Sequence, residues 1–271
     1  MPKGNGMKDR VCIFIDGENL RKSIEKMFSS KYNAYDYLPP KANWEAFFNE
    51  IIKQSAEVLS YPTGVAPYLV RSYWYVIGTL EYNSQFLEEK FNSRKTTANQ
   101  KLEYFKRYAG SKAGDTSKLK SPADMGKVID RCRAHLEEQH SIIQNRLLGW
   151  HQKQGQIEFK VPRLQFQRFG YLKTELDNLK FRGEKGVDVR LATDLILLKD
   201  IYDTAIIVSG DGDYIPAVAA IKSFGKSVVT VSFKNQDGQF LPGGARKLTS
   251  VSDTSIALQY ETMREICGFN N

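Results

Sequence analysis

The 271-residue sequence is poor in the side chains that staple or metallate small proteins: it has three cysteines and three histidines. Cys12, Cys132 and Cys267 lie far apart, fit no metal-ligand spacing and cannot all pair within one chain. His135, His140 and His151 share no helical face and read as surface residues. These shortages exclude a disulfide framework and a His/Cys metal centre, and a reducing cytoplasm is the expected compartment. Long hydrophobic runs are also missing. The apolar run that opens "VCIFIDGENL" at 11–20 is about half the length a membrane span requires, and the polar "MPKGNGMKDR" before it does not read as a signal peptide. A membrane partner is therefore not expected, while a homodimer is compatible with the composition. Acid is in deficit, 31 residues against 39 basic ones, for a net charge of +8. That balance favours an anionic partner, of which nucleic acid is the commonest; a merely basic, well-solvated surface is the bland reading.

What is present alternates between strand and helix. "VCIFI" is a continuous run of strand formers, as in a parallel strand covered on both faces. "LRKSIEKMF" then places Leu20, Ile24, Met27 and Phe28 at helical spacing. "NWEAFFNEIIKQSAEVL" repeats the helical pattern with Asn43 as its cap, and "YLVRSYWYVIG" is a second strand. Residues 84–152 become charged and helical, with thirteen Lys or Arg against eight Asp or Glu. Within them Ser121, Pro122 and Asp124 mark a helix start. "QIEFKVPRLQFQRFGYLK" reads as extended structure interrupted by Pro162. The last third is the most regular: helix "GVDVRLATDLILLKDIY", strand "TAIIVSG", helix "YIPAVAAIKSFG", strand "KSVVTVSF", then a Gly-rich loop "LPGGARKL". The expectation is an α/β fold with a doubly wound parallel sheet, in which 1–83 and 153–271 form one domain and 84–152 is a basic helical insertion.

Ligands of open parallel sheets bind at the carboxyl ends of the strands. Asp16 ends the first strand, and Asp211 and Asp213 follow the strand in "TAIIVSGDGDY". If these strands are neighbours, their tips bring three carboxylates together. The intervening helix adds Asp188 in its first turn, where the dipole favours an acid. It also adds Asp194, which falls on the apolar stripe of Val187, Leu191 and Leu198 and is costly there unless paired, hydrogen-bonded or bound to metal. Clustered carboxylates resist ionising together, so a divalent cation explains them most simply; Mg²⁺ suits an all-oxygen site that also meets phosphate. Structural readings stand beside these: Asp213 as the cap of a helix starting at Tyr214, Asp188 as a plain first-turn acid, Asp194 as half of an ion pair, Asn19 as a cap. Gly17 reads as a close turn where phosphate approaches, and Glu18 as a solvent-facing acid.

Together "FIDGEN", "KGVDVRLATDLI", "SGDGDY" and "IPAVAAIKSFGKSVVTVSF" closely resemble the NYN domain, a branch of the PIN-like nucleases. The resemblance implies a Rossmann-like (PIN-like) central parallel sheet flanked by helices, and RNA cleavage with Mg²⁺ or Mn²⁺ held by acidic residues. It assigns metal ligation to Asp16, Asp188 and Asp211, a further ligand or water-acceptor role to Asp213, an inner or supporting place to Asp194, and ligand-water or phosphate contacts to Asn19, with Ser209 in support. The expected acidic closing segment is replaced by "ARKLTSVSDTSIAL", of which Asp253 is the one acid.

RNA, single-stranded or structured, is the expected partner. Arg182, Lys185, Arg246 and Lys247 beside the motifs, and Arg94, Lys95, Arg107, Lys112, Lys118 and Lys120 in the insertion, are the expected phosphate contacts. Tyr32, Tyr35, Tyr37 and Trp74 are candidates to stack on bases. Two other functions fit in part. One is an RNA-binding module without turnover. The other is a phosphatase of the haloacid-dehalogenase type, suggested by "DGE" and "GDGD", although that chemistry wants an Asp where Glu18 stands.

Overall fold

Each continuous apolar run becomes a strand whose two faces are both covered. The computed structural model describes residues 9–29, 37–60, 67–81, 122–175, 180–241 and 245–269. In chain order the elements are β1 (Arg10–Asp16), α1 (Gly17–Met27), α2 (Trp44–Val58), β2 (Tyr68–Val76), β3 (Thr79–Glu81), α3 (Pro122–Lys160), β4 (Leu164–Arg168), β5 (Tyr171–Glu175), β6 (Lys180–Lys185), α4 (Val187–Leu197), β7 (Thr204–Val208), α5 (Ile215–Ser223), β8 (Ser227–Lys234), β9 (Phe240–Leu241), α6 (Ala245–Thr249), β10 (Thr254–Leu258) and α7 (Tyr260–Ile266). The chain divides into two compact units. One comprises residues 1–77, 149–169 and 186–271; the other comprises 78–148 and 170–185.

The first unit holds a parallel sheet in the order β10-β8-β7-β1-β2-β4, with β9 added antiparallel to β8. The α/β class and the flanked parallel sheet expected from the sequence are therefore observed. β1 is central, and its side chains alternate between two buried layers. Val11, Ile13 and Ile15 join the core formed with Leu20 and Ile24 of α1 and Phe47 and Ile51 of α2. Phe14 points the other way, stacking on Tyr73 and meeting Tyr202 edge-on, on the side where α4 packs against β1 and β2. Burying the five side chains of "VCIFI" contributes about 2 kcal/mol each. In the second unit, β3, β5 and β6 form a small separate sheet.

Several local expectations are revised. Residues 156–160 are helical rather than extended: α3 runs through Lys160, Val161 N–H still donates to Ile157 O, and the chain breaks only at Pro162, whose ring cannot continue the helix. α6 replaces part of the expected loop at 241–248, and its Leu248 is buried. Trp74 is 0% exposed in an aromatic cluster with Trp44 and Trp150, so it stacks on no base. A Cβ on Gly17 would lie 2.4 Å from the Tyr75 carbonyl oxygen and 2.8 Å from Trp74 Nε1, so glycine there admits the neighbouring strand rather than a phosphate. Asn43 caps α2 as expected, accepting the Ala46 N–H at 3.1 Å. No described helix is long and apolar enough to cross a membrane.

Candidate active site

The alternation that buries Phe14 also aims Asp16. Two residues further along β1, Asp16 emerges on the α4 side of the sheet, at the carboxyl end of the strand and opposite Tyr75 of β2. It is 3% exposed. Three donors hold it: the Asn19 N–H at 3.0 Å, making Asp16 the cap of α1, the Ser209 hydroxyl at 3.0 Å, and the Tyr214 hydroxyl at 3.2 Å. β7 pairs with β1 so that Ile15 lies beside Val208, and the next residues along, Asp16 and Ser209, come together at the tips. Ser209 Oγ in turn accepts the Asp211 N–H at 3.1 Å, and Asn19 Oδ1 accepts the Gly210 N–H at 3.2 Å. The two strand tips are thus tied by side chains of "DGEN" and "SGDGDY".

Asp188 arrives from α4. The helix starts after Gly186, whose φ of 92° lies in the left-handed region that favours glycine, and it places Asp188 in its first turn. The Tyr214 hydroxyl lies 2.9 Å from Asp188 Oδ1, and carboxylate oxygens of Asp16 and Asp188 lie within 4.8 Å of each other. A phenol carries one proton and can donate to only one of two acceptors. The electrostatics agree with that shortage. Burial pushes Asp16 up to about 7, with the charge of Asp188 adding to the rise while the Asn19, Ser209 and Tyr214 bonds oppose it. Asp188 is also raised, first by burial and then by the charges of Asp211 and Asp213; Tyr214 and Lys22 pull it down. Without a cation, the pair therefore retains a proton into the neutral range.

Asp211 is half-buried and caps the turn Gly212–Tyr214 by accepting the Asp213 N–H at 3.0 Å, so Asp211 does the capping that Asp213 was a candidate for. Asp213 is exposed. Asp194, 4% exposed, accepts from the Tyr75 hydroxyl and from Arg190 Nε, both at 2.9 Å. The ion-pair reading thus describes its surroundings. Asp253 sits at the opposite end of the sheet, accepting the Val228 N–H and pairing with Lys222 at 3.0 Å. Glu18 is buried rather than solvent-facing; Arg21 and the Tyr37 hydroxyl bind its carboxylate.

Among the basic residues, Lys247 packs its stem beside Gly212, 3.8 Å from where a Cβ there would stand, and Arg246 lies 6.0 Å from the Phe240 ring, which Lys234 also approaches at 5.3 Å. Both are exposed on α6, which packs against the Gly212–Tyr214 turn. Arg182 and Lys185 belong to β6 in the second unit. Tyr32, Tyr35, Arg94, Lys95, Arg107, Lys112, Lys118 and Lys120 lie outside the described residues. Two residues escaped the sequence reading. Tyr214 was visible in "SGDGDY" but was read only as a helix start. Lys22, one turn after Asn19, shared no motif.

An arrangement of this kind fits a divalent cation on its own chemistry. Asp16 is buried and Asp188 half-buried, their oxygens lie within 4.8 Å, and burial together with mutual charge opposes their ionising together, which is the situation that a hard cation relieves. Residues 113–259, more than half of the chain, match the family described as NYN domain. The matched span carries Asp188, Asp194, Asp211 and Asp213 and leaves out β1 with Asp16. No curated protein is significantly similar in sequence. The chain is also similar to the crystal structure of a protein of unknown function from Vibrio parahaemolyticus, at 13% identity over 94% of this chain and 95% of that one. The TM-score is 0.45, a likeness too loose to carry an argument.

Proposed function

Because the chain belongs to the NYN domain family, within the PIN-like nuclease superfamily, we propose that it is a metal-dependent ribonuclease, endonucleolytic, whose Asp16 and Asp188 hold Mg²⁺ or Mn²⁺. The observation that carries this reading is the Tyr214 hydroxyl shared by the buried Asp16 and the half-buried Asp188. Asp211 and Asp213 add negative charge on the Asp188 side, as further ligands or as acceptors for ligand water. When bound, the ion supplies charge neutralisation at the phosphoryl group and a more acidic water. The chain's own residues do the rest. Ser209 and the Asn19 amide fix Asp16 in one rotamer, Tyr214 spaces it from Asp188, and the Asn19–Gly210 bond holds the two strand tips at one separation. Lys22 and Lys247 border the carboxylates as cations for flanking phosphates, positioning a strand without reading its sequence.

A phosphatase of the aspartyl-phosphate type is disfavoured by Glu18. The acid two positions after Asp16 is already bound by Arg21 and Tyr37 and is not available to protonate a leaving group. The test is an RNA cleavage assay in Mg²⁺, in Mn²⁺ and in chelator, with binding measured on the same RNA. Metal-dependent cutting supports the proposal; binding without metal-dependent cutting leaves an RNA-binding module and overturns it.

A further inference from the structure

The pairing of the sheet brings β9 beside the carboxylates. Phe233 of β8 pairs on one edge with Leu258 of β10 and on the other with Leu241 of β9. That second edge is the one β7 occupies as far as Val208, which pairs with Val231. β9 therefore lies beyond the carboxyl end of β7, in the place β7 would have taken had it continued instead of leaving the sheet through Ser209, Gly210 and Asp211. Two further contacts join it to the site. α1, capped by Asp16, packs against β9, and α6 packs against the Gly212–Tyr214 turn.

The hairpin between β8 and β9 fixes Phe240. The Asn235 side chain accepts the Gln239 N–H at 2.8 Å, the Asn235 N–H donates to Gln239 O at 3.0 Å, and Gly238 makes the turn with a φ of 74°. Held there, the Phe240 ring remains 36% exposed. Lys234, its cross-strand partner, stands 5.3 Å from the ring and Arg246 6.0 Å, and neither seals it. Lys247 follows, its stem beside Gly212. None of these three cations is ion-paired among the described residues, and Asp237 is the one acid of the hairpin.

An open aromatic face among available cations suits a base with its adjoining phosphates. Bases inside a duplex are covered by their neighbours and leave the ring unanswered, whereas an unpaired base has a free face. We infer that Phe240 is the stacking platform for one unpaired base of a single-stranded RNA that crosses the Asp16 and Asp188 carboxylates, with Lys234 and Arg246 on the phosphates next to that base. The identity of the strand rests on the nuclease reading, but the platform is tested without cleavage.

The measurement is fluorescence anisotropy of a labelled ten-nucleotide RNA, single-stranded and as a duplex, with the full chain in chelator so that no hydrolysis enters. Phe240→Leu should weaken single-strand binding about tenfold, the scale of one lost base–aromatic stack, and duplex binding less than twofold. Phe240→Trp should keep single-strand binding within twofold of the parent. Phe224→Leu is the control: that phenylalanine is also exposed and also beside a lysine, Lys199 at 5.5 Å, but it precedes β8 at the amino end of the sheet, and its loss should change binding less than twofold. Lys234→Gln/Arg246→Gln should reduce the slope of log affinity against log salt by about 1.4. Equal losses from Phe240→Leu and Phe224→Leu, equal losses on duplex, no rescue by tryptophan, an unchanged salt slope, or a parent that binds no single-stranded RNA each overturn the platform. Phe240-dependent binding by a protein that never cleaves removes the hydrolytic reading and leaves the platform standing. Metal-dependent cleavage with Phe240-independent binding does the reverse.

Discussion

Asp16 and Asp188, 172 positions apart in the chain, face each other across one phenolic hydroxyl, that of Tyr214, at 3.2 and 2.9 Å. The Tyr214 hydroxyl has one proton for two carboxylates, one buried and one half-buried, and a retained proton or a cation makes good that deficit. The chemistry proposed for the chain starts from that deficit.

The pH dependence of stability follows. Burial raises Asp16 to about 7 in the folded state, above the roughly 3.9 of an unfolded aspartate. A raised carboxyl holds its proton better folded than unfolded, so its contribution is fully present below the unfolded value and is lost as pH rises through the folded one. Metal-free protein should lose melting temperature between about pH 4 and pH 7. Mg²⁺ or Mn²⁺ should restore it at the upper end, and Asp16→Asn should flatten the slope. Thermal melts across that range, with and without metal, check all three.

Asp16→Asn and Asp188→Asn keep the size of the side chain and remove the charge. Each should lower metal-dependent cleavage by about three orders of magnitude, the scale of losing one preorganised electrostatic group, while leaving the melting temperature at pH 7 unchanged or raised. Single-turnover cleavage beside a melt separates lost chemistry from lost fold.

Tyr214→Phe removes the shared donor from a fully buried ring. The variant should be less stable by about 1.5–3 kcal/mol, the range for a hydrogen bond to a charged group. Its loss of stability should be greater at pH 8 than at pH 5, because the bond helps Asp16 ionise. Denaturant midpoints at the two pH values measure the difference.

Gly17→Ala places a methyl 2.4 Å from the Tyr75 carbonyl oxygen, which belongs to the backbone of β2 and cannot rotate away. The expected cost is about 1–3 kcal/mol of overpacking, read as a shift in the urea midpoint, together with reduced cleavage because Asp16 is the adjacent residue.

Much of the fold was legible because a parallel strand covered on both faces is written as an unbroken apolar run, as in "VCIFI" and "TAIIV". Asn43 was legible as a cap for a similar local reason. The misreadings depended on partners distant in sequence. Glu18 looked solvent-facing because Tyr37 binds it from nineteen residues away. Trp74 looked available for stacking because nothing local reveals Trp44 and Trp150 closing over it. In the candidate site, strand ends and first-turn geometry singled out the acids that the structure brings near one another. Tyr214 was invisible as their shared donor, since its role exists only once β1, α4 and the Gly212–Tyr214 turn have converged. Asp194 was a closer case: its partner Arg190 stands one turn earlier on the same helix, an i,i+4 pair that the spacing alone contained.

Isothermal titration of Mn²⁺ into the full chain, its Asp16→Asn variant and its Asp188→Asn variant at pH 7.5 tests the central claim most directly. The account predicts saturable binding by the parent, with proton release because Asp16 must ionise, and its loss in both variants. Equal Mn²⁺ affinity in all three would contradict it.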